Sequence, residues 1–185
     1  MALHLLRGPF TVDAYQRLAE LGVLREDARV ELIAGQVVEM SPIGDRHASC
    51  VRRLIGVFAR RLVDVAVIDA QNPVVLSRHD APQPDLALLR PRADAYPQHP
   101  RAGDILLMIE VADSTVTYDR DIKMPLYARA GIPEAWLVNL PADRIDVYRD
   151  PVGGQFATVR PVSRGDLLTA LHFPNVTFRA DEILG

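Results

Sequence analysis

Gln83-Pro84-Asp85-Leu86-Ala87-Leu88-Leu89 is followed, after a loop rich in Pro and Arg, by Asp104-Ile105-Leu106-Leu107-Met108-Ile109-Glu110-Val111. Each is an apolar run bounded by turn signals, the pattern of a strand buried on both faces of a sheet. Each also carries one acid, Asp85 at the entrance of the first run and Glu110 near the end of the second. A carboxylate in such a place is costly unless a partner pairs with it or a cation sits on it. A third segment, Asp119-Arg120-Asp121-Ile122-Lys123, adds a lysine, with Tyr127 one helical turn beyond it. The cost of the two buried acids is the first sign of function.

Outward from this stretch, the pattern is that of an α/β protein with a sheet and helices packed against it. Thr11 is placed to cap a helix running to about Leu21, with Asp13 in its first turn. Arg29-Val30-Glu31-Leu32-Ile33 and Gln36-Val37-Val38-Glu39-Met40 flank Ala34-Gly35 and read as a hairpin. His47 to Val63 is the clearest helix, with Val51, Leu54, Ile55, Phe58 and Leu62 on one buried face. Arg53 and Arg60 fall opposite that face, with Arg52 and Arg61 towards its flanks. The favoured reading of these arginines is a solvated surface, and a phosphate-contacting patch is the alternative. Short strands are expected at Val65–Ile68, Pro73–Leu76, Asp85–Leu89 and Ile105–Val111, then at Glu134–Asn139. Arg144–Arg149 alternates polar with apolar residues, as a half-exposed strand nearer the sheet edge does. Pro125 removes a backbone donor and disfavours helical geometry at Met124, so a helix there begins near it or is kinked by it.

The 185 residues, 49% hydrophobic and 24% charged, suffice for one domain with a proper core. We expect a single domain over 1–185, with residues 1–10 as an N-terminal arm and 150–185 as further strands. No apolar run approaches the roughly 18 residues of a membrane span, and the first ten residues do not read as a signal peptide. The lone Cys50 excludes an intramolecular disulfide and a cysteine-based zinc cluster, which makes a reducing cytoplasm the expected compartment. A net charge of −3 gives no global basic footprint for nucleic acid.

Asp85 and Glu110 sit at the ends of candidate neighbouring strands, where their side chains can converge. Two close carboxylates repel unless they share a divalent cation, and oxygen ligands suit Mg²⁺ or Mn²⁺ rather than zinc. Lys123 is placed to join them. Metal, paired carboxylates and a lysine suit phosphodiester hydrolysis, in which the cation activates water and positive charge stabilises the phosphate. On spacing alone, a turn aspartate and a structural Glu110–Lys123 ion pair remain the alternative. His47, one turn before Val51, reads by itself as a satisfied core histidine, and Tyr127 as packing. A glycosidase built on two carboxylates finds no support, since the chain has one Trp and 6% aromatic residues.

Taken together these motifs resemble the PD-(D/E)xK nuclease superfamily, and within it the Uma-type family of restriction endonucleases. The resemblance runs through Glu31-Leu32-Ile33-Ala34-Gly35-Gln36-Val37, Met40-Ser41-Pro42 with His47, Asn72-Pro73 and Pro84-Asp85. It continues through Ile109-Glu110-Val111, Tyr118-Asp119, Lys123, and Leu126 to Trp136. It implies a restriction-endonuclease-like fold, a mixed central β-sheet flanked by helices. It also implies a Mg²⁺- or Mn²⁺-dependent nuclease acting on nucleic acid, DNA first, as a homodimer and without a membrane. Asp85 and Glu110 take the metal-binding positions, with Glu31 at the edge of the site and His47 in support. The superfamily's strand lysine is missing, because Ala112 stands two residues after Glu110; Lys123 on the following helix takes that role. The reading from another class is a non-catalytic binding or regulatory module that keeps the nuclease fold.

Overall fold

The computed structural model describes residues 9–25 and 28–185, and its first element is a capped helix, α1 (Val12–Glu20). Thr11 Oγ1 accepts the Ala14 N–H at 3.2 Å, and Asp13 lies in the first turn as expected. Of the expected N-terminal arm, residues 1–8 lie outside the described residues. The hairpin follows, with β1 (Val30–Ile33) and β2 (Gln36–Glu39) paired antiparallel. Ala34 and Gly35 both have positive φ, the two-residue turn that matches strand twist. At Gly35 a Cβ would lie 2.8 Å from Pro9 Cβ, so the turn demands glycine twice over.

Helix α2 (Asp45–Leu62) begins two residues earlier than its apolar periodicity indicates. Its buried face packs Leu54, Phe58 and Leu62 onto one side of the central sheet. The sheet holds β3 (Val67–Ala70), β4 (Leu86–Leu89), β5 (Ile105–Ala112), β6 (Glu134–Asn139), β7 (Arg144–Val152) and β8 (Gln155–Ser163), in that spatial order. Only β5 and β6 run parallel, so the sheet is mixed. Between β5 and β6 the chain forms α3 (Val116–Tyr118), a π-helical turn (Asp119–Lys123) and α4 (Met124–Arg129). After β8 come the antiparallel pair β9 (Leu167–Thr169) and β10 (Thr177–Arg179), and helix α5 (Ala180–Leu184).

The sheet is therefore covered on both sides, which is why every residue of β4, β5 and β6 is buried. On one side α2, α5 and β10 pack against Leu86, Leu88, Ile109 and Trp136, with Phe58 and Phe178 edge to face at 5.1 Å. On the other, α4 and Ile33 of the hairpin pack against Ala87, Met108 and Leu137.

Three expectations need correction. Pro73–Leu76 forms no strand: its N–H groups go to Pro82, Pro100 and Asp80, and prolines on both sides deny it a ladder. The strand expected at Val65–Ile68 is β3, two residues later, because Val65 and Ala66 donate to Leu62 O and finish α2. Arg53 is not part of a solvated face, whereas Arg61 is exposed as expected. Arg53 donates to Ile183 O at 3.0 Å, Leu184 O at 2.7 Å and Ser49 Oγ at 2.8 Å, while Arg61 pairs with Glu182.

Arg53 thus fastens the last helix to α2, while Arg52 is exposed. Replacing Arg53 by Gln is expected to cost about 1–3 kcal/mol in urea unfolding, from carbonyls stripped of a charged donor. Arg52→Gln is expected to stay within about 0.5 kcal/mol. Equal effects in the two variants would show that the tether does not contribute.

Candidate active site

Antiparallel pairing of β4 with β5 sets Leu86 opposite Ile109. One step further along that register Asp85 faces Glu110, and directly opposed residues share a face of the sheet. It is the face covered by α4 and the hairpin, since Ala87 and Met108, in phase with the two acids, belong to that side. Asp85 stands just outside β4, and its Oδ2 accepts the Val111 N–H at 2.8 Å. A backbone donor at the end of the ladder is thereby satisfied. His47 Nε2, from the first turn of α2, donates to the same oxygen at 2.9 Å. Asp85 Oδ1 has a longer contact, 3.5 Å, with Gln71 Nε2.

Lys123 is 4% exposed, and its Nζ lies 3.2 Å from Glu110 Oε1 and 3.3 Å from Glu31 Oε2. Glu31 comes from β1 and is held in turn by the Gln83 N–H at 3.2 Å and the Tyr118 hydroxyl at 3.4 Å. The Tyr127 hydroxyl donates to Glu110 Oε1. Asp119, also buried, accepts from Thr115 Oγ1 at 2.6 Å. All five residues expected at the site are therefore brought together: Asp85 with His47, and Lys123 between Glu31 and Glu110.

The π turn explains how one short helical segment supplies so many groups. In an unbroken α-helix Lys123 shares its stripe with Asp119 at i−4 and Tyr127 at i+4. Here the Met124 N–H reaches back five residues to Asp119 O. The wider turn brings Tyr118, at i−5, to the same side. Pro125 supplies no N–H to the ladder, and α4 begins beside it, at Met124, directly after the π turn. Such turns recur at functional sites.

The electrostatics follow from four buried acids around one ammonium. Burial pushes the Glu110 carboxyl well above its ordinary range, against the pull of Lys123 and with Asp119 and Asp85 adding to the rise. Burial alone would lower Lys123, but Glu110, Glu31, Asp119 and Asp85 together hold its ammonium well above its ordinary value. Asp119 is raised too, chiefly by burial. The cluster therefore favours the charged form of the lysine and disfavours the charged form of Glu110.

These residues line a cleft of about 860 Å³ whose rim includes Ile43 and Ile122. A larger cleft of about 1320 Å³ lies between α1 and the 95–103 loop, and none of the five expected residues lines it. The smaller cleft is the one that holds the convergent charges. Sequence reasoning gave Tyr127 to packing and no role to Tyr118 or Asp119. The helical stripe through Lys123 marks Asp119 and Tyr127, but no spacing rule anticipates the extra residue that admits Tyr118. His47 is not a satisfied core histidine: its Nδ1 is buried without a partner among the described residues.

Comparison with known proteins bears on this arrangement. A family model, Uma2, described as "Putative restriction endonuclease", matches residues 12–181. No curated protein matches the chain. Among solved structures, a "putative nuclease" from Anabaena variabilis superposes with a TM-score of 0.74 at 14% identity, covering 95% of this chain and 98% of that one. At that identity the likeness is one of fold. The type IIG restriction endonuclease BpuSI matches 69% of this chain and 15% of its own at 16% identity, with a TM-score of 0.43, too loose to carry weight. The mixed six-stranded sheet flanked by helices is thus restriction-endonuclease-like, and the chain belongs to the Uma2 family.

Proposed function

We propose that this protein is a divalent-metal-dependent endonuclease that hydrolyses phosphodiester bonds of DNA, with Asp85 and Glu110 holding the metal. The observation that carries the reading is the Lys123 ammonium, 3.2 Å from Glu110 and 3.3 Å from Glu31 beside Asp85 in one cleft. The donor set fits Mg²⁺ or Mn²⁺: the groups are carboxylate oxygens, and the negative charge exceeds what one lysine neutralises. Among the described residues no three or more His, Cys, Asp or Glu side chains gather as a ready metal cage. That suits Mg²⁺, which takes one or two carboxylates and fills its shell with water and substrate phosphate. A cation held there would activate a water and neutralise charge on the phosphate.

The protein's own groups then have distinct tasks. Lys123, kept protonated by its acids, serves as a fixed positive charge facing the developing phosphorane rather than as a base. Glu31 holds that lysine from the hairpin side, and His47 holds Asp85. Two copies related by a twofold axis would present two sites to the two strands of a duplex, a pairing that sedimentation tests. The reading as a binding module has one observation in its favour. Glu39, Asp113 and Asp121 stand at the cleft alongside the four buried acids, with Arg29 and Lys123 as the lining cations. A polyanion approaches such a cleft only after metal has bound.

Lys123→Met is expected to lose metal-dependent cleavage of plasmid DNA by about 10²- to 10³-fold, roughly 3–4 kcal/mol. Its Mn²⁺ affinity is expected to stay close to parental, since a lost anchor and a lost repulsion offset. Lys123→Arg is expected to rescue poorly, because a planar guanidinium differs in shape and hydration from an ammonium. Cleavage by Lys123→Met at the parental rate would return Lys123 to a structural ion pair.

A second expectation concerns pH without metal. Glu110 has a folded-state pKa raised above its ordinary 4.5, so the folded state binds more protons than the unfolded one above that pH. The stability it contributes is full below about 4.5 and is lost as pH rises through the folded value. In EDTA the melting temperature is therefore expected to fall as pH rises from about 4.5, and Glu110→Gln is expected to flatten that fall. A lower melting temperature for Glu110→Gln at every pH would make the Glu110–Lys123 pair an anchor of the fold instead.

A further inference from the structure

Each of the two acids that face each other across β4 and β5 is fastened through one oxygen by two protein donors. Asp85 Oδ2 takes His47 Nε2 and the Val111 N–H. Glu110 Oε1 takes the Tyr127 hydroxyl and lies 3.2 Å from Lys123 Nζ. The second oxygens are treated alike as well. Asp85 Oδ1 has the long Gln71 contact, and none of the hydrogen bonds among the described residues uses Glu110 Oε2. A carboxylate fastened at one oxygen cannot swing to offer both to the same ion.

We propose that Tyr127 is a positioning residue for Glu110: by fixing Oε1 it leaves Oε2 as a one-oxygen ligand for the divalent cation. This rests on the reading of Asp85 and Glu110 as the metal-holding pair. Tyr127 is fully buried, and its ring packs in the apolar layer between α4 and the sheet. Packing alone accounts for the ring but not for the hydroxyl, which a phenylalanine would fill as well without. A hydroxyl placed in that layer needs a partner, and Glu110 Oε1 is the one it has. Tyr127 stands one turn beyond Lys123 on the same stripe, so both donors to that oxygen come from one helical segment. On Asp85 the equivalent donors come from α2 and β5. Partners that orient ligands in this way are worth about 10- to 100-fold in metal affinity.

The test is Mn²⁺ titration followed by electron paramagnetic resonance on four proteins: parent, Tyr127→Phe, Glu110→Gln and the double variant. Tyr127→Phe is expected to bind Mn²⁺ about 10- to 100-fold more weakly. In the Glu110→Gln background the same change is expected to add nothing, because its effect passes through Glu110. Tyr148→Phe removes the hydroxyl of another tyrosine of the same layer, one with no hydrogen bond to either acid among the described residues, and it is expected to leave affinity unchanged. Unaltered affinity in Tyr127→Phe, or an equal loss in Tyr148→Phe or in the Glu110→Gln background, would overturn the proposal. The unsubstituted protein supplies an independent measurement should Tyr127→Phe not fold. The infrared carboxylate stretches lost in Glu110→Gln are expected to separate widely on adding Mn²⁺, the signature of one-oxygen ligation, and a narrow bidentate separation would overturn the proposal too. A parent without a saturable Mn²⁺ site removes the metal-holding pair and this inference together. A parent that binds Mn²⁺ beside a Tyr127→Phe variant that binds it equally well removes the inference alone.

Discussion

Four carboxylates buried around one ammonium are the constraint on which the rest of this structure turns. Taking Glu31, Asp85, Glu110 and Asp119 out of water is expensive, and Lys123 cannot neutralise them all. The fold meets the cost by supplying donors from every side. The hairpin brings Glu31 to the lysine, the first turn of α2 brings His47 to Asp85, and the helical segment after β5 brings Tyr118, Thr115 and Tyr127. What remains unneutralised is negative charge gathered in the cleft. Structural necessity and chemical capacity here have one origin.

Glu134 shows why burial alone does not identify such a site. It is fully buried in an apolar strand, as Glu110 is, yet each of its oxygens is occupied. Oε1 accepts from Arg149 at 2.7 and 2.9 Å and from Trp136 Nε1 at 2.9 Å, and Oε2 accepts the Leu171 N–H at 2.6 Å. Its charge is met by fixed donors that tie β6 to β7 and to the segment after β9. Nothing is left over for a ligand. Glu110, by contrast, has its hydrogen bond on Oε1 and none on Oε2 among the described residues.

This contrast also measures what was legible in the chain. An acid in an apolar run is a strong local signal, so Asp85 and Glu110 stood out, and neighbouring strands followed from the runs themselves. The same signal marks Glu134, but its donors lie 2, 15 and 37 residues away, beyond the reach of any spacing rule. The α2 stripe was legible because it is periodic, whereas the partners of Arg53 were not, because they are carbonyls of α5. Pro73–Leu76 misled because β-prone side chains say nothing about donors that neighbouring prolines lack. The extra residue in the π turn has no periodic signature, and with it went the place of Tyr118.

Carrying the lysine on a helix rather than beside Glu110 on β5 separates two inheritances. The acids are fixed by strand register, which a one-residue slip would destroy along with the core. Lys123 is fixed by helical phase, in which each residue added or removed turns a side chain by about 100°. One inserted residue between Ser114 and Lys123 would therefore aim the lysine elsewhere while Asp85 and Glu110 stay opposed. Within a lineage built this way, the lysine is a single step from being lost to the cleft, while the paired acids are not. Chains with and without the lysine in place would share the same sheet and the same opposed acids, and would part company only in the turn before Pro125.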